Sequence, residues 1–518
     1  FRALWSLEKI MHSPKLRIAL AAFAISLAGF MPVAPAFADK SDDTLRVALQ
    51  IEIANLDTYY DSAGSVSLLS RHIWDSLAYI DPATSELVPL LAESYSFPND
   101  KTLDLTLRQG VTFHDGSAFD ADDVVYTLNW ITNPDSKVKT IADRKWIGSV
   151  EKIDANHVRI HMTAPNAMAL RFLTSFPIYP SGIYDVDGVA AMNIHPIGTG
   201  PYKVASMETG NEYVLERNNA YFAGGPKATP AIKTLLVRII PDGSTQIAEI
   251  VSGGLDWIYK VPADQASEMA GYNGLVVSSE ATSRLFYMLM DAAGRNGEDS
   301  PYKNILVRQA IAHAIDRQAM VDAFVKGSAQ VQDAFCFSGD FGCPQDTVRY
   351  DYDPAKARTL LAEAGYPDGF ETNLSGWRDR PYVEAIMNFL GEVGIKAEIN
   401  YVKLAPLKEE WFAGQRPLIY GSIGSQVADV GNFVPAFFGL TSRDLAQDSE
   451  VAGWIKQANM TTDVEARREL LHMALRKVAA EAYALPLFSD NMNYAASGDL
   501  EFVTDAGGNP HFYLAHWK

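Results

Sequence analysis

Cysteine is nearly absent from this chain: Cys336 and Cys343 are the only two in 518 residues. So few suit neither a zinc module nor a disulfide-rich scaffold. Basic residues are the minority charge, 44 Lys and Arg against 63 Asp and Glu, for a formal net charge of −19. A surface of that sign repels phosphate backbones and anionic lipid, which argues against nucleic acid as a partner. Past residue 31 there is no run of about 20 uncharged apolar residues, so stable membrane insertion of the mature chain is not expected. Catalytic signatures are missing as well: there is no GxxxxGK[ST], HExxH or GxSxG. Gly198-Thr199-Gly200-Pro201-Tyr202 lacks the third glycine of a dinucleotide fingerprint and reads as a tight turn. The ten histidines are scattered, His114-Asp115 reads as a polar turn, and Asp122-Asp123 reads as the start of a helix. The expectation is a protein that is not an enzyme and needs no cofactor and no metal.

What is present is a globular composition, 48% hydrophobic and 21% charged, long enough for two or three domains. Met11 opens a leader in which Lys15 and Arg17 precede an apolar run over 18–31 that Pro32 and Pro35 interrupt. Ala36-Phe37-Ala38 offers a small-x-small cleavage site, so residues 1–38 read as upstream sequence plus a secretory signal peptide, cut after Ala38. No cysteine sits near that site, which disfavours a lipoprotein. The leader carries four basic residues and one acid, so its loss takes the net charge to −22. An exported chain meets an oxidising compartment, where Cys336 and Cys343 can close the loop CFSGDFGC as a disulfide adding about 2 kcal/mol. A catalytic thiol pair usually has two intervening residues rather than six.

Hydrophobic periodicity predicts a strand over 45–53, a helix near 66–78, and strands over 103–107 and 158–162. Asp120 is a candidate N-cap for a helix with Asp122 and Asp123 in its first turn. Strands prevail between 177 and 260, notably 213–216 and 234–240. Beyond residue 300 helices and strands alternate: a helical region over 300–327 broken near Asp316, a helix from Asp353-Pro354 to Gly365, a helix over 382–393 and a strand over 396–402. A long helix over 464–481 precedes a strand over 484–488. No linker rich in Gly or Ser separates the halves, which should be compact and touching.

Seven stretches in order resemble the family 5 extracellular solute-binding proteins, the peptide/nickel type that feed ABC importers. They are Leu56-Asp57; Leu107-Arg108-Gln109-Gly110-Val111 with Phe113-His114-Asp115-Gly116; Asp122-Asp123-Val124-Val125-Tyr126; Pro196-Ile197-Gly198-Thr199-Gly200-Pro201-Tyr202; Glu216-Arg217-Asn218 with Tyr221; Gly253-Gly254-Leu255-Asp256; and Val307-Arg308-Gln309-Ala310-Ile311 with Asp316-Arg317. The resemblance implies an α/β, two-lobed periplasmic-binding-protein fold (type II, cluster C) with an inserted domain, three domains in all. Domain I would combine 39–70, 191–284 and 489–518, domain II would be the insertion 71–190, and domain III the second lobe, 285–488. Two crossings, near 284–291 and 485–491, would form the hinge. The implied function is periplasmic capture of a peptide or peptide-like solute by lobe closure, with delivery to an ABC permease by a monomeric protein. The alternative is the same scaffold holding an oligosaccharide, an opine-like conjugate or a metal chelate.

In peptide-binding relatives a loop reading Trp-x-x-Asp-x-x-(Asp/Glu)-Pro supplies a carboxylate for the peptide ammonium. The matching stretch here places Ile423 at the Trp, Gln426 at the anchoring Asp and Asp429 at the later acid. The remaining candidates for the cleft are Tyr60, Ser62, Phe286, Tyr287, Trp377, Arg378, Arg380, Trp411, Tyr420, Phe488 and Asp490. Aromatic rings with a few cations suit a carboxylate-bearing ligand with an apolar or sugar body.

Overall fold

The computed structural model describes residues 42–61, 63–139, 144–425 and 427–518. The expected signal peptide lies outside the described residues. Residues 43–518 cluster as one compact unit.

One ten-stranded sheet runs through it in the order Lys396–Tyr401, Glu371–Gly376, Leu418–Gly424, Leu275–Met290, Ala484–Ser497, Trp257–Tyr259, Thr44–Leu49, Thr234–Ile239, Glu212–Arg217 and Tyr202–Glu208. Thr44–Leu49 is buried along its whole length and pairs in parallel with both neighbours, so it is apolar apart from Thr44 and Arg46, whose guanidinium is matched by Asp256. The two longest strands, Leu275–Met290 and Ala484–Ser497, lie antiparallel at the centre. Strand alternation then divides the side chains between two cores. Phe286, Met288 and Met290 enter one with Leu374, Tyr420 and Phe488. Leu285, Tyr287 and Leu289 enter the other with Phe335, Trp411 and Phe437.

A separate four-stranded sheet has the order Ala92–Asn99, Thr102–Leu107, His157–Met162 and Ile147–Lys152. The helix Ala121–Thr132 packs on it, opened by a capping box in which Asp120 and Asp123 satisfy each other's backbone N–H. Other helix starts also follow their caps. Asp316 accepts from Ala319 N after the helix Ile305–Ala314 ends, and Asp353 accepts from Lys356 N ahead of Pro354–Glu363. The expected helices over 66–78, 382–393 and 464–481 are Gly64–Ile73, Arg380–Glu392 and Val464–Ala480. The expected strand over 45–53 stops at Leu49, and the one over 484–488 continues to Ser497. Cys336 and Cys343 form a disulfide with Cα atoms 5.8 Å apart.

The C-terminal segment is anchored through buried polar groups. Arg71 pairs with Asp505 at 2.7 Å, Phe512 N donates to His72 Nε2 at 3.0 Å, and the hydroxyls of Tyr79 and Tyr513 are 2.8 Å apart. His511 is buried beside Asp505, and burial drives its pKa down to about 4, with Arg71 and Lys227 pushing the same way and Asp505 opposing. An unfolded histidine titrates near 6.5, so between pH 6.5 and 4 the unfolded chain takes up a proton that folded His511 refuses. Its contribution, about 3 kcal/mol at 1.36 kcal/mol per unit, is therefore lost as pH falls through that window. Asp57, raised to about 6, acts in the opposite sense over the same range. The comparison is thus made against His511→Asn: urea midpoints at pH 7 and pH 4.5 should converge for the variant relative to wild type.

Candidate functional site

The centre of the large sheet assembles charged groups that are far apart in sequence. Leu275–Met290 pairs with Leu418–Gly424 so that Arg284 faces Gly424 and Phe286 faces Ser422. Glu371–Gly376 runs parallel to Leu418–Gly424 and delivers Trp377, Arg378 and Asp379 from its C-terminal end. Arg378 Nη1 donates to Ser422 Oγ at 2.9 Å and Arg284 Nη1 to the same oxygen at 3.2 Å. Asp379, in the left-handed backbone region at φ +51°, accepts from Arg378 Nε and from the Tyr420 hydroxyl. Asp490 lies 3.7 Å from Arg284 Nε and accepts from Asn491 N at 2.9 Å.

Aromatic rings form the floor. The Arg378 guanidinium sits 5.3 Å from the ring centres of both Phe286 and Trp377. Phe286 stacks parallel to Tyr420 at 6.2 Å and packs on Phe488 at 5.3 Å, with Tyr382 closing the group. Burial raises the Asp490 carboxyl above its ordinary value, opposed by Asn491 N–H, Arg284 and Arg378. Arg284 is pushed down by burial and then by Arg378. Lys260, an exposed residue whose ammonium lies over the Tyr259 ring, is pushed down by desolvation and then by Arg284. Arg284 thus acts on Lys260 and Arg378 on Arg284, three cations set against two carboxylates, Asp379 and Asp490. Such a group is stabilised by one further negative charge.

Of the residues singled out in the sequence, Phe286, Trp377, Arg378, Tyr420, Phe488 and Asp490 meet here. Arg380 does not: as the first residue of the helix Arg380–Glu392 it pairs with Glu384 at 2.8 Å and lies over Tyr401. Tyr287 faces the opposite side of the sheet, against Phe335 and Phe437. Trp411 is buried and donates to Arg443 O at 2.9 Å. Tyr60 belongs to an aromatic group with Trp130 and Tyr184 and donates to Ser136 O. Asp429 is fully buried, with Arg467 on both oxygens at 2.7 Å and Arg171 Nε at 3.2 Å. Ser62 and Gln426 lie outside the described residues. Arg284, Ser422, Asp379, Tyr382 and Lys260 were not selected from the sequence. Asp379 was visible only as the middle of Arg-Asp-Arg, and Arg284 only as the edge of an expected crossing.

Among the described residues no group of three or more His, Cys, Asp or Glu is placed to hold a metal ion, and no helix is long and apolar enough to cross a membrane. Residues 86–444 match the model of the bacterial extracellular solute-binding proteins, family 5. The chain belongs to that family. It is accordingly a solute-binding component of an ABC importer. A glutathione-binding protein GsiB of Salmonella paratyphi A is 29% identical over 387 residues, which cover 73% of this chain and 72% of the relative. The solved structure of HbpA2 from Haemophilus parasuis superposes with a TM-score of 0.83 at 22% identity, covering 92% of this chain and all of the other. A dipeptide-binding protein of Pseudoalteromonas sp. SM9913, solved with Met-Leu, superposes at 0.70 with 22% identity and the same coverage.

The Asp429 cluster carries its own test. Removing one member of a buried ion group leaves uncompensated charge and costs about 3–5 kcal/mol. Asp429→Asn should therefore lower the stability measured by urea unfolding by that order, whereas Arg380→Ala, with its partner half exposed, should change it by under about 1 kcal/mol.

Proposed function

We propose that the protein captures short peptides bearing a free carboxylate, and that Arg284 and Arg378 receive that group. The excess of positive charge in the central cluster is the observation that carries this reading. A carboxylate bridging two guanidiniums gains charge-assisted hydrogen bonds, about twice as strong as neutral ones. The aromatic floor of Phe286, Trp377, Tyr420 and Phe488 suits an apolar or sulfur-bearing side chain. The names of the curated relatives agree, because glutathione is a tripeptide with two carboxylates.

In this reading residues 39–70, 191–284 and 489–518 form domain I, 71–190 the inserted domain II, and 285–488 domain III. The separate sheet within 92–162 supports the insertion. A ligand touching both lobes binds the closed arrangement better than an open one and so shifts the population toward closure. The closed monomer then docks on its permease in the periplasm, after a signal peptide has been removed behind Ala38. The ligand leaves unchanged, with no turnover.

Calorimetric titration of ligand-free protein with glutathione and dipeptides tests the roles. Arg284→Ala and Arg378→Ala should each weaken binding by about 1.5–3 kcal/mol, the range for a lost charged hydrogen bond. Arg380→Ala should leave affinity within about twofold, since its guanidinium is held by Glu384. Unchanged affinity in both of the first two variants would remove the arginines from the site.

A further inference from the structure

One arginine reaches from one hydrophobic core to another. Met168, Ala169, Leu170 and Phe172 pack in the core that holds Leu45 and Val47. Phe335, Val430 and Leu471 pack in the core that holds Tyr287 and Trp411. Between the two groups Arg171 Nη1 donates to Val427 O at 2.7 Å, and its Nε lies 3.2 Å from Asp429 Oδ2. Its guanidinium also sits 5.8 Å from the centre of the Phe341 ring. Two further polar contacts join the same sides: Ala167 N donates to Asn459 O at 2.9 Å, and Arg467 Nη2 donates to Met168 Sδ at 2.9 Å.

Apolar packing does not seal this junction. A cavity of about 540 Å³ interrupts it, with Thr163 and Pro165 on one wall and Leu440 and Met460 on the other. A junction between domains that is not large and hydrophobic is one that opens. The charges suit such parting. Asp429 keeps Arg467 on both of its oxygens at 2.7 Å when Arg171 withdraws, so no bare carboxylate is left there. Asp340, buried in the loop closed by the disulfide, faces Asp429 and Arg171 and loses a facing cation. Two acids are therefore matched by two guanidiniums only while Arg171 is in place, which favours the joined arrangement. Val427, whose carbonyl Arg171 holds, also stands just beyond the strand Leu418–Gly424, whose Ser422 receives Arg284 and Arg378. The junction and the arginine cluster thus act on one stretch of chain.

We propose that Arg171 is a latch between the two lobes, a positioning residue that holds the protein in its closed arrangement without touching the ligand. The inference rests on the reading, given above, of two lobes that close over a ligand.

Two measurements on ligand-free protein test it. Hydrogen exchange read by mass spectrometry should show the Ala167 amide of wild type exchanging sooner than the amides of Ala484–Ser497, because the lobes part without unfolding. Small-angle X-ray scattering should show Arg171→Met raising the radius of gyration by about 1 Å from the ~23 Å of a compact chain of this size, with its far-UV circular dichroism unchanged. Arg171→Lys, which keeps the charge, should stay at the wild-type radius. A wild-type radius in Arg171→Met, with early exchange at Ala167 in wild type, overturns the latch and leaves the two-lobe reading standing. Exchange at Ala167 only together with the central strands overturns both. Should Arg171→Met fail to fold, the radius of Arg171→Gln decides in the same way.

Discussion

The antiparallel ladder between Leu275–Met290 and Ala484–Ser497 is the constraint on which the rest of the molecule depends. It joins two groups of strands into one sheet and fixes what each face receives. Because successive side chains alternate, a one-residue slip would send Phe286 and Met288 into the wrong core and turn Arg284 away from Ser422. The ladder is irregular where the chemistry lies. Its register shifts between Ala281 and Leu285, the interval that holds Arg284, and again between Phe286 and Tyr287. A shift of this kind re-aims side chains next to sites. Arg284 and Asp490 are thereby presented from the two partner strands, while Arg378 arrives from the end of a third.

Several buried charges of the protein are paired one to one. Arg46 and Asp256 neutralise each other with bidentate geometry, and Lys227 is matched by Asp75 at 2.7 Å. Burying charge is tolerable when it is paired and hydrogen-bonded, and these pairs meet that condition. The group around Ser422 does not reach balance on its own. Two guanidiniums share one neutral hydroxyl and are matched in number by Asp379 and Asp490, and the exposed Lys260 leaves one positive charge over. The excess is mechanically useful: a ligand that supplies the missing charge contributes most when the lobes enclose it, where water screens least.

Much of the fold was legible because it rests on local rules. Asp120, Asp316 and Asp353 announce helix starts through caps that act within three residues, and the ordered family motifs span most of the chain. The long central strands were only partly legible. Residues 278–283 read Ser-Ser-Glu-Ala-Thr-Ser, which shows no apolar alternation, so nothing local marks them as strand. The cluster around Ser422 was legible in its aromatics and in Arg378 as residues that meet, and obscure in their partners, since Ser422 lies 44 residues from Arg378 and 138 from Arg284. Arg378 and Arg380 look equivalent in sequence. They part company because the helix begins at Arg380, which aligns it with Glu384 one turn on. Asp429 likewise looked available in a stretch rich in Gly and Ser. The arginines that occupy it come from elements no local pattern connects to it.

The central claim is that the arginine cluster holds a carboxylate-bearing peptide. Its most direct measurement is the native mass spectrum of protein purified from a periplasm, wild type beside the double variant Arg284→Ala/Arg378→Ala. The account predicts added masses on wild type that equal short peptides, lost in the double variant while the folded charge-state distribution stays the same. The same adducts on both proteins, or a single discrete mass that fits no peptide, would contradict it.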